Sequence, residues 1–154
     1  MNMKKIYISI IIFLISGCGY SVVEQNRNFN VKEIVSEGEK RINYKIKTKL
    51  LVDNNNRNEN FIKINLKTKK NKNVKEKNIK NEITKYEIII VANVNYKTSA
   101  NTTEKNFTLT QIGEYKVEAR YSQTLSNEKK LIDLLSQKLA DEILDEIVKR
   151  QSDS

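Results

Sequence analysis

The sequence predicts an α+β domain. Three observations carry that expectation. Tyr86–Tyr96 alternates apolar and polar positions, with Ile88, Ile90, Ala92, Val94 and Tyr96 on one face. Ile62–Leu66 and Phe107–Tyr121 repeat the same period of two. Leu131, Leu135, Leu139, Ile143 and Ile147 then recur every fourth residue. Period two marks a strand with one buried face, and a four-residue repeat marks an amphipathic helix. Strands in a run, closed by a helix, fit a sheet covered on one side.

Taken in order, Phe29, Val31, Ile34 and Val35 predict a short first strand over residues 29–35. Ser36-Glu37-Gly38-Glu39 matches a capping box, with Ser36 as N-cap and Glu39 reaching back. The following residues, 39–52, admit two readings. Ile42, Ile46 and Leu50 share a helical face, yet Ile42, Tyr44, Ile46, Thr48 and Leu50 also alternate as a strand would. Residues 53–60 (DNNNRNEN) are a turn cluster. Ile62, Ile64 and Leu66 predict a half-buried strand.

Residues 69–81 carry Lys69, Lys70, Lys72, Lys75, Lys77 and Lys80 and few apolar groups, and predict a long exposed hairpin connection. The next strand, 86–96, has Ile89 and Val91 on its second face, so its middle is expected to be covered on both sides. Residues 97–105 form a polar turn. A strand over 107–121 follows, and Gly113 within it predicts a bulge or bend. Ser126 is the expected N-cap of the last helix, with Glu128 in its first turn and Lys149 and Arg150 at its end. Asp133, Lys138, Asp141, Glu142, Asp145 and Glu146 are expected on its solvent side.

The N-terminus has a different character. Lys4 and Lys5 precede the apolar run Ile6–Leu14, and Ser16 and Gly17 are small. A basic region, a short greasy region and a small-residue cleavage site describe a secretory signal peptide. The run falls short of the roughly 20 residues that span a bilayer. Ile15-Ser16-Gly17-Cys18 resembles the lipobox of bacterial lipoproteins. That resemblance implies cleavage after Gly17 and acylation of Cys18 at its sulfur and its new amino group. The expected organisation is a signal peptide at 1–17, a lipidated tether at 18–28, one domain at 29–150 and a tail at 151–154. Gly19 stands where an aspartate would retain an enteric lipoprotein at the inner membrane, which favours the outer membrane.

Of the 154 residues, 28 are Lys or Arg and 19 are Asp or Glu, giving +9. Two of those lysines lie in the signal, so the mature chain carries +7. Export rules out nucleic acid as the partner of this charge and leaves anionic lipid or glycolipid. Lys outnumbers Arg 23 to 5, and Asn and Ile occur 20 times each, a bias of AT-rich coding that accounts for part of the charge. No His is present, and the lone Cys is the acylation candidate. The commonest bases and nucleophiles are therefore missing, and no enzyme activity, metal or cofactor is expected. No zincin, P-loop or nucleophile-elbow motif occurs.

Three segments together resemble the lipopolysaccharide-assembly lipoprotein (LptE) family in its alphaproteobacterial form. They are Cys18-Gly19-Tyr20, the alternation from Ile83-Thr84-Lys85-Tyr86-Glu87-Ile88 to Tyr96, and Tyr115-Lys116-Val117 through Ala119-Arg120-Tyr121-Ser122 followed by Leu139-Ala140-Asp141-Glu142-Ile143. The family's alanines and arginines at the last helix start are largely replaced over Glu128–Asp133. The resemblance implies two helices and four strands, which makes 39–52 a helix. The expected fold is then a two-layer α+β sandwich, a four-stranded sheet packed on two helices in the order β-α-β-β-β-α. It also implies a non-catalytic, lipid-anchored protein facing the periplasm. Such a protein plugs a large outer-membrane β-barrel partner (LptD-like), helps it assemble and acts with it on lipopolysaccharide. Lys67, Lys69, Lys70 and Lys72 are the candidate glycolipid-binding residues. A structural accessory subunit of another envelope complex is the alternative. If Ile89, Val91 and Ile112 form one patch on the uncovered sheet face, that patch is a contact site.

Overall fold

A computed structural model describes residues 29–52, 60–99 and 103–152. Cys18, the tether and the turn cluster at 53–59 lie outside the described residues. The elements are β1 (Asn30–Gly38), α1 (Lys40–Val52), β2 (Phe61–Lys77), β3 (Ile83–Thr98), β4 (Lys105–Lys116) and α2 (Tyr121–Ser152). The order is β-α-β-β-β-α, and both helices pack on one side of a four-stranded sheet. The sheet runs β1-β2-β3-β4 in chain order. β1 and β2 are parallel, which requires the α1 crossover between them, and the other two pairs are antiparallel.

The ambiguous stretch 39–52 is a helix because its face at i, i+4, i+8 has a place to go. Ile42, Ile46 and Leu50 are fully buried under it, while Tyr44, which a strand would bury with them, is exposed. Its start differs from the sequence expectation. Ser36 lies within β1, opposite Leu66, and caps nothing. The amide of Glu39 instead donates to Thr68 Oγ1 at 3.2 Å, from the neighbouring strand. Thr68 Oγ1 donates in turn to Asn43 Oδ1 at 2.8 Å, and Asn43 Nδ2 donates to the Glu37 carbonyl at 2.9 Å. Gly38 makes this turn possible. Its φ is +94°, and an added Cβ would sit 2.0 Å from the Thr68 carbonyl oxygen.

The core lies between the helices and one sheet face. It comprises Ile62, Ile64 and Leu66 of β2, Ile88, Ile90, Ala92, Val94 and Tyr96 of β3, and the inner stripe of α2. In β1 a register shift between Val31 and Glu33 turns Val31 and Ile34 inward together and leaves Val35 54% exposed. Arg41 of α1 grips Asp133 of α2 through three contacts of 3.0–3.2 Å, and Lys45 and Lys49 approach Asp133 and Asp141. Asp133 therefore faces the other helix, while Asp141 is reached by Lys49 but stays exposed.

Four boundaries correct the sequence reading. The lysine-rich stretch 69–77 is strand, and the hairpin connection shrinks to the turn around Asn78–Glu82. β4 stops at Lys116, because its partner strand begins at Ile83; Val117 makes the last ladder bond, to the Thr84 carbonyl. The chain then turns into α2 at Tyr121, five residues before Ser126. Thr124 Oγ1 accepts from the Glu118 amide at 2.8 Å to fix that turn. Gly113 makes no bulge, since β3 and β4 stay in register throughout. Its role is close packing: a Cβ there would meet Leu131 Cδ1 at 2.6 Å. α2 also continues to Ser152, two residues into the expected tail.

Candidate functional site

The sheet face away from the helices is left uncovered by the other described elements. It displays alternate residues of every strand. Glu33, Val35 and Glu37 come from β1, and Lys63, Asn65, Lys67, Lys69 and Asn71 from β2. Ile89, Val91, Asn93 and Asn95 come from β3, and Thr108, Thr110 and Ile112 from β4. Register places Asn71, Ile89 and Ile112 in one row, and Lys69, Val91 and Thr110 in the next. Ile89, Val91 and Ile112 therefore adjoin, as a small apolar patch bordered by Lys69. Ile89 and Val91 are half-buried by their neighbours, and Ile112 is 56% exposed.

The four candidate lysines all lie on β2, whose alternation divides them between its two faces. Lys67 and Lys69 point to the open face. Lys67 pairs with Glu37 at 3.6 Å across β1, and Lys63 pairs with Glu33 in the same way at 3.0 Å. Lys69 is exposed. Lys70 and Lys72 lie on the helix side. The four thus divide between the two faces of the sheet.

Lys72 is committed to a structural role. Its Nζ lies 2.7 Å from Glu128 Oε2 on α2, 4.3 Å from the centre of the Tyr86 ring and 5.4 Å from that of Tyr115. The Tyr115 hydroxyl donates to the same Glu128 oxygen at 2.8 Å, and the two tyrosine rings stack at 5.6 Å. Partial burial works against the charge on Lys72, but hydrogen bonds to Glu128 and Tyr115 outweigh it and push its pKa up to about 12. Burial likewise opposes the charge on Glu128, and Lys72 and Tyr115 outweigh it, holding the carboxyl below its usual range. This cluster fastens the far ends of β2, β3 and β4 to the first turns of α2. No periodicity in the sequence announces it; only Glu128, as an acid near a helix start, carried a signal.

A concavity opens at the opposite end of the sheet. It encloses about 250 Å³ between Phe29, Phe61, Tyr96, Thr98 and Lys105. Tyr96 is buried, its hydroxyl has no hydrogen-bond partner among the described residues, and burial raises its pKa. No group of three metal-binding side chains occurs among the described residues, and none of the described helices is long and apolar enough to cross a membrane.

No protein-family model matches the chain, and no curated protein matches it in sequence. Solved structures do match its fold. Rare lipoprotein B from Shewanella oneidensis superposes with a TM-score of 0.61 at 15% identity, over 80% of this chain and 98% of that one. Lipoprotein B from Nitrosomonas europaea gives 0.51 at 13%, over 81% and 88%. A minor lipoprotein from Acinetobacter baumannii gives 0.51 at 12%, over 79% and 94%. At such identities the likeness establishes a common fold, which spans 88–98% of those chains.

Proposed function

We propose that this chain is a lipid-anchored outer-membrane lipoprotein of the periplasmic side that plugs a large β-barrel partner and assists its assembly. In that complex it would act on lipopolysaccharide or a related anionic glycolipid without covalent catalysis. One observation carries the reading. A fold in common with rare lipoprotein B follows a leader whose Ile15-Ser16-Gly17-Cys18 has the lipobox pattern. Acyl chains on Cys18 would contribute about 0.8 kcal/mol per buried methylene, so two or more hold the protein at the membrane. Tethering there raises its effective concentration at a barrel in the same membrane.

The open sheet face fits a docking role. Its lysines alternate with asparagines and with glutamates that already pair with them. A partner would thus meet a polar surface around the Ile89, Val91 and Ile112 patch. Of the four candidate lysines, Lys69 is the one best placed to meet an anionic headgroup, and Lys72 is the least free.

Affinity purification of the lipoprotein from membranes in mild detergent tests this function. A stoichiometric barrel protein is expected in the eluate, and loss of surface lipopolysaccharide is expected on depletion. An eluate with a different envelope complex and no barrel would replace this reading with an accessory-subunit role. Cys18→Ser is expected to lose acyl labelling and membrane retention; unchanged labelling would remove the lipid anchor.

A further inference from the structure

The two edges of the sheet are built differently. β1 is guarded as natural edges are: it has a bulge at Val31/Glu33 and carries Lys32, Glu33 and Glu37 along its length. β4 has no register shift and keeps its charges at its two ends, Lys105, Glu114 and Lys116. From Asn106 to Gly113 it reads NFTLTQIG, with no charge, no proline and no register shift. A long, flat, uncharged edge invites another strand.

Two hydrogen bonds define which groups of β4 face outward. The Val117 amide donates inward to Thr84, so odd-numbered residues turn their main-chain groups to β3. The even-numbered Asn106, Thr108, Thr110, Ile112 and Glu114 turn theirs away. The Asn106 carbonyl agrees, since it accepts from Arg150 Nη1 at 3.1 Å and not from β3. Among the described residues, no strand pairs with this edge.

We propose that the β4 edge is an interaction surface for a second copy of this chain, paired antiparallel about a two-fold axis at Thr110. The inference rests on the sheet alone and holds whatever becomes of the barrel-plug reading. Self-pairing in this register is favoured by the residues it brings opposite one another. Thr110 meets its own counterpart, Thr108 meets Ile112, and Asn106 meets Glu114. Phe107 meets Gly113, an aromatic opposite a residue with no side chain. Glu104, just before the strand, comes opposite Lys116 at its end. No like charges oppose, and the pairing is complementary at both ends, as an isologous interface requires. Shifting the axis to Thr108 or Ile112 shortens the ladder and loses the Glu104–Lys116 match. Thr110 with its counterpart, and Thr108 with Ile112, exchange two main-chain hydrogen bonds per pair, which joins two four-stranded sheets into one; at the ladder's ends the Asn106 carbonyl is already held by Arg150.

The test uses the full-length chain in mild detergent, carrying Cys18→Ser so that any introduced cysteine is the only one. Sedimentation is expected to give a dimer for Cys18→Ser alone and a monomer once Thr110→Lys is added. Thr110→Lys breaks no hydrogen bond within the fold, because its main-chain groups and side chain face outward, so an unchanged circular dichroism melt is expected. Thr110→Cys is expected to form a disulfide-linked dimer under mild oxidation. Asn95→Cys, on the same face but within the sheet, is expected to cross-link far more slowly. A chain that is monomeric at all concentrations overturns the proposal. So does a dimer that survives Thr110→Lys, or cross-linking at residue 110 no faster than at 95. A strand from a different protein cross-linking to residue 110 in place of a second copy would likewise overturn it.

Discussion

Replacing Thr68 with valine isolates the network that starts α1. The two side chains have nearly the same shape, so packing is preserved and one hydroxyl is lost. That hydroxyl accepts from the Glu39 amide at 3.2 Å and donates to Asn43 Oδ1 at 2.8 Å. Thr68 and Asn43 are 4% and 5% exposed, so water does not replace it. Leaving the Asn43 oxygen unpaired costs about 1–3 kcal/mol, and the half-buried Glu39 amide adds roughly 1 kcal/mol. The expected loss is about 2–4 kcal/mol, or roughly 6–20 °C in Tm for a domain of this size. Urea titration of the chain from residue 18 onward, with Cys18→Ser, measures it at constant m-value. Thr68→Ser is the control: it keeps the hydroxyl and loses one methyl, at about 1 kcal/mol. Asn43→Leu combined with Thr68→Val is expected to cost less than the sum of the single changes, because the Asn43 oxygen that Thr68→Val orphans is removed with it, while the Glu37 carbonyl loses its Asn43 donor. A Thr68→Val protein as stable as Thr68→Ser would refute the reasoning.

Three further outcomes are expected. Gly113→Val drives a side chain into Leu131, whose Cδ1 already lies 2.6 Å from the position of a first carbon. A loss of about 1–3 kcal/mol is expected, partly restored by Leu131→Ala in the same thermal melt. Leu139→Ala, at a position with no exposure, is expected to cost about 2–5 kcal/mol by denaturant titration. The folded pKa of Glu128 lies below its unfolded value. Its stabilisation is therefore present above the ordinary carboxylate range and lost as pH falls through the depressed pKa. Lys72 is raised to about 12, so its share is present below about 10.5 and lost as pH rises through 12. Glu128→Gln is expected to flatten the acid limb of a stability-versus-pH curve; an unchanged limb would separate Glu128 from the cluster.

The elements legible in the sequence are those whose period coincides with a buried face. β3 alternates because one face meets both helices, and Ile88 to Tyr96 are buried as the pattern says. The α2 stripe from Leu135 to Ile147 is legible for the same reason. Residues 70–77 were illegible because their strand character comes from a partner. Their backbone pairs with Ile83–Ile90, and a stretch of lysines and asparagines with Val74 as its one apolar residue carries no apolar period. Pairing also decides the end of β4. Val117, Ala119 and Tyr121 continue the alternation, but no strand remains beside them. The capping box failed through the same kind of substitution: a distant hydroxyl, Thr68, holds the amide that a local Ser36 was expected to serve.

The lysines show why candidate binding residues were harder to place than the fold. Composition says how many cations a segment has, and not what faces them. On β2 the pleat sends Lys67 and Lys69 to one side and Lys70 and Lys72 to the other. Each then meets different neighbours. Lys67 finds Glu37 on β1, and Lys72 finds Glu128 on α2, 56 residues away in sequence. A lysine held between a carboxylate and two tyrosine rings would have to break those contacts to take a phosphate. A lysine beside Val91 and Thr110 would break none. The positions open to a ligand on this sheet are those left over after the fold has used its charges, and Lys69 beside the Ile89, Val91 and Ile112 patch is where the open face combines a cation with apolar surface.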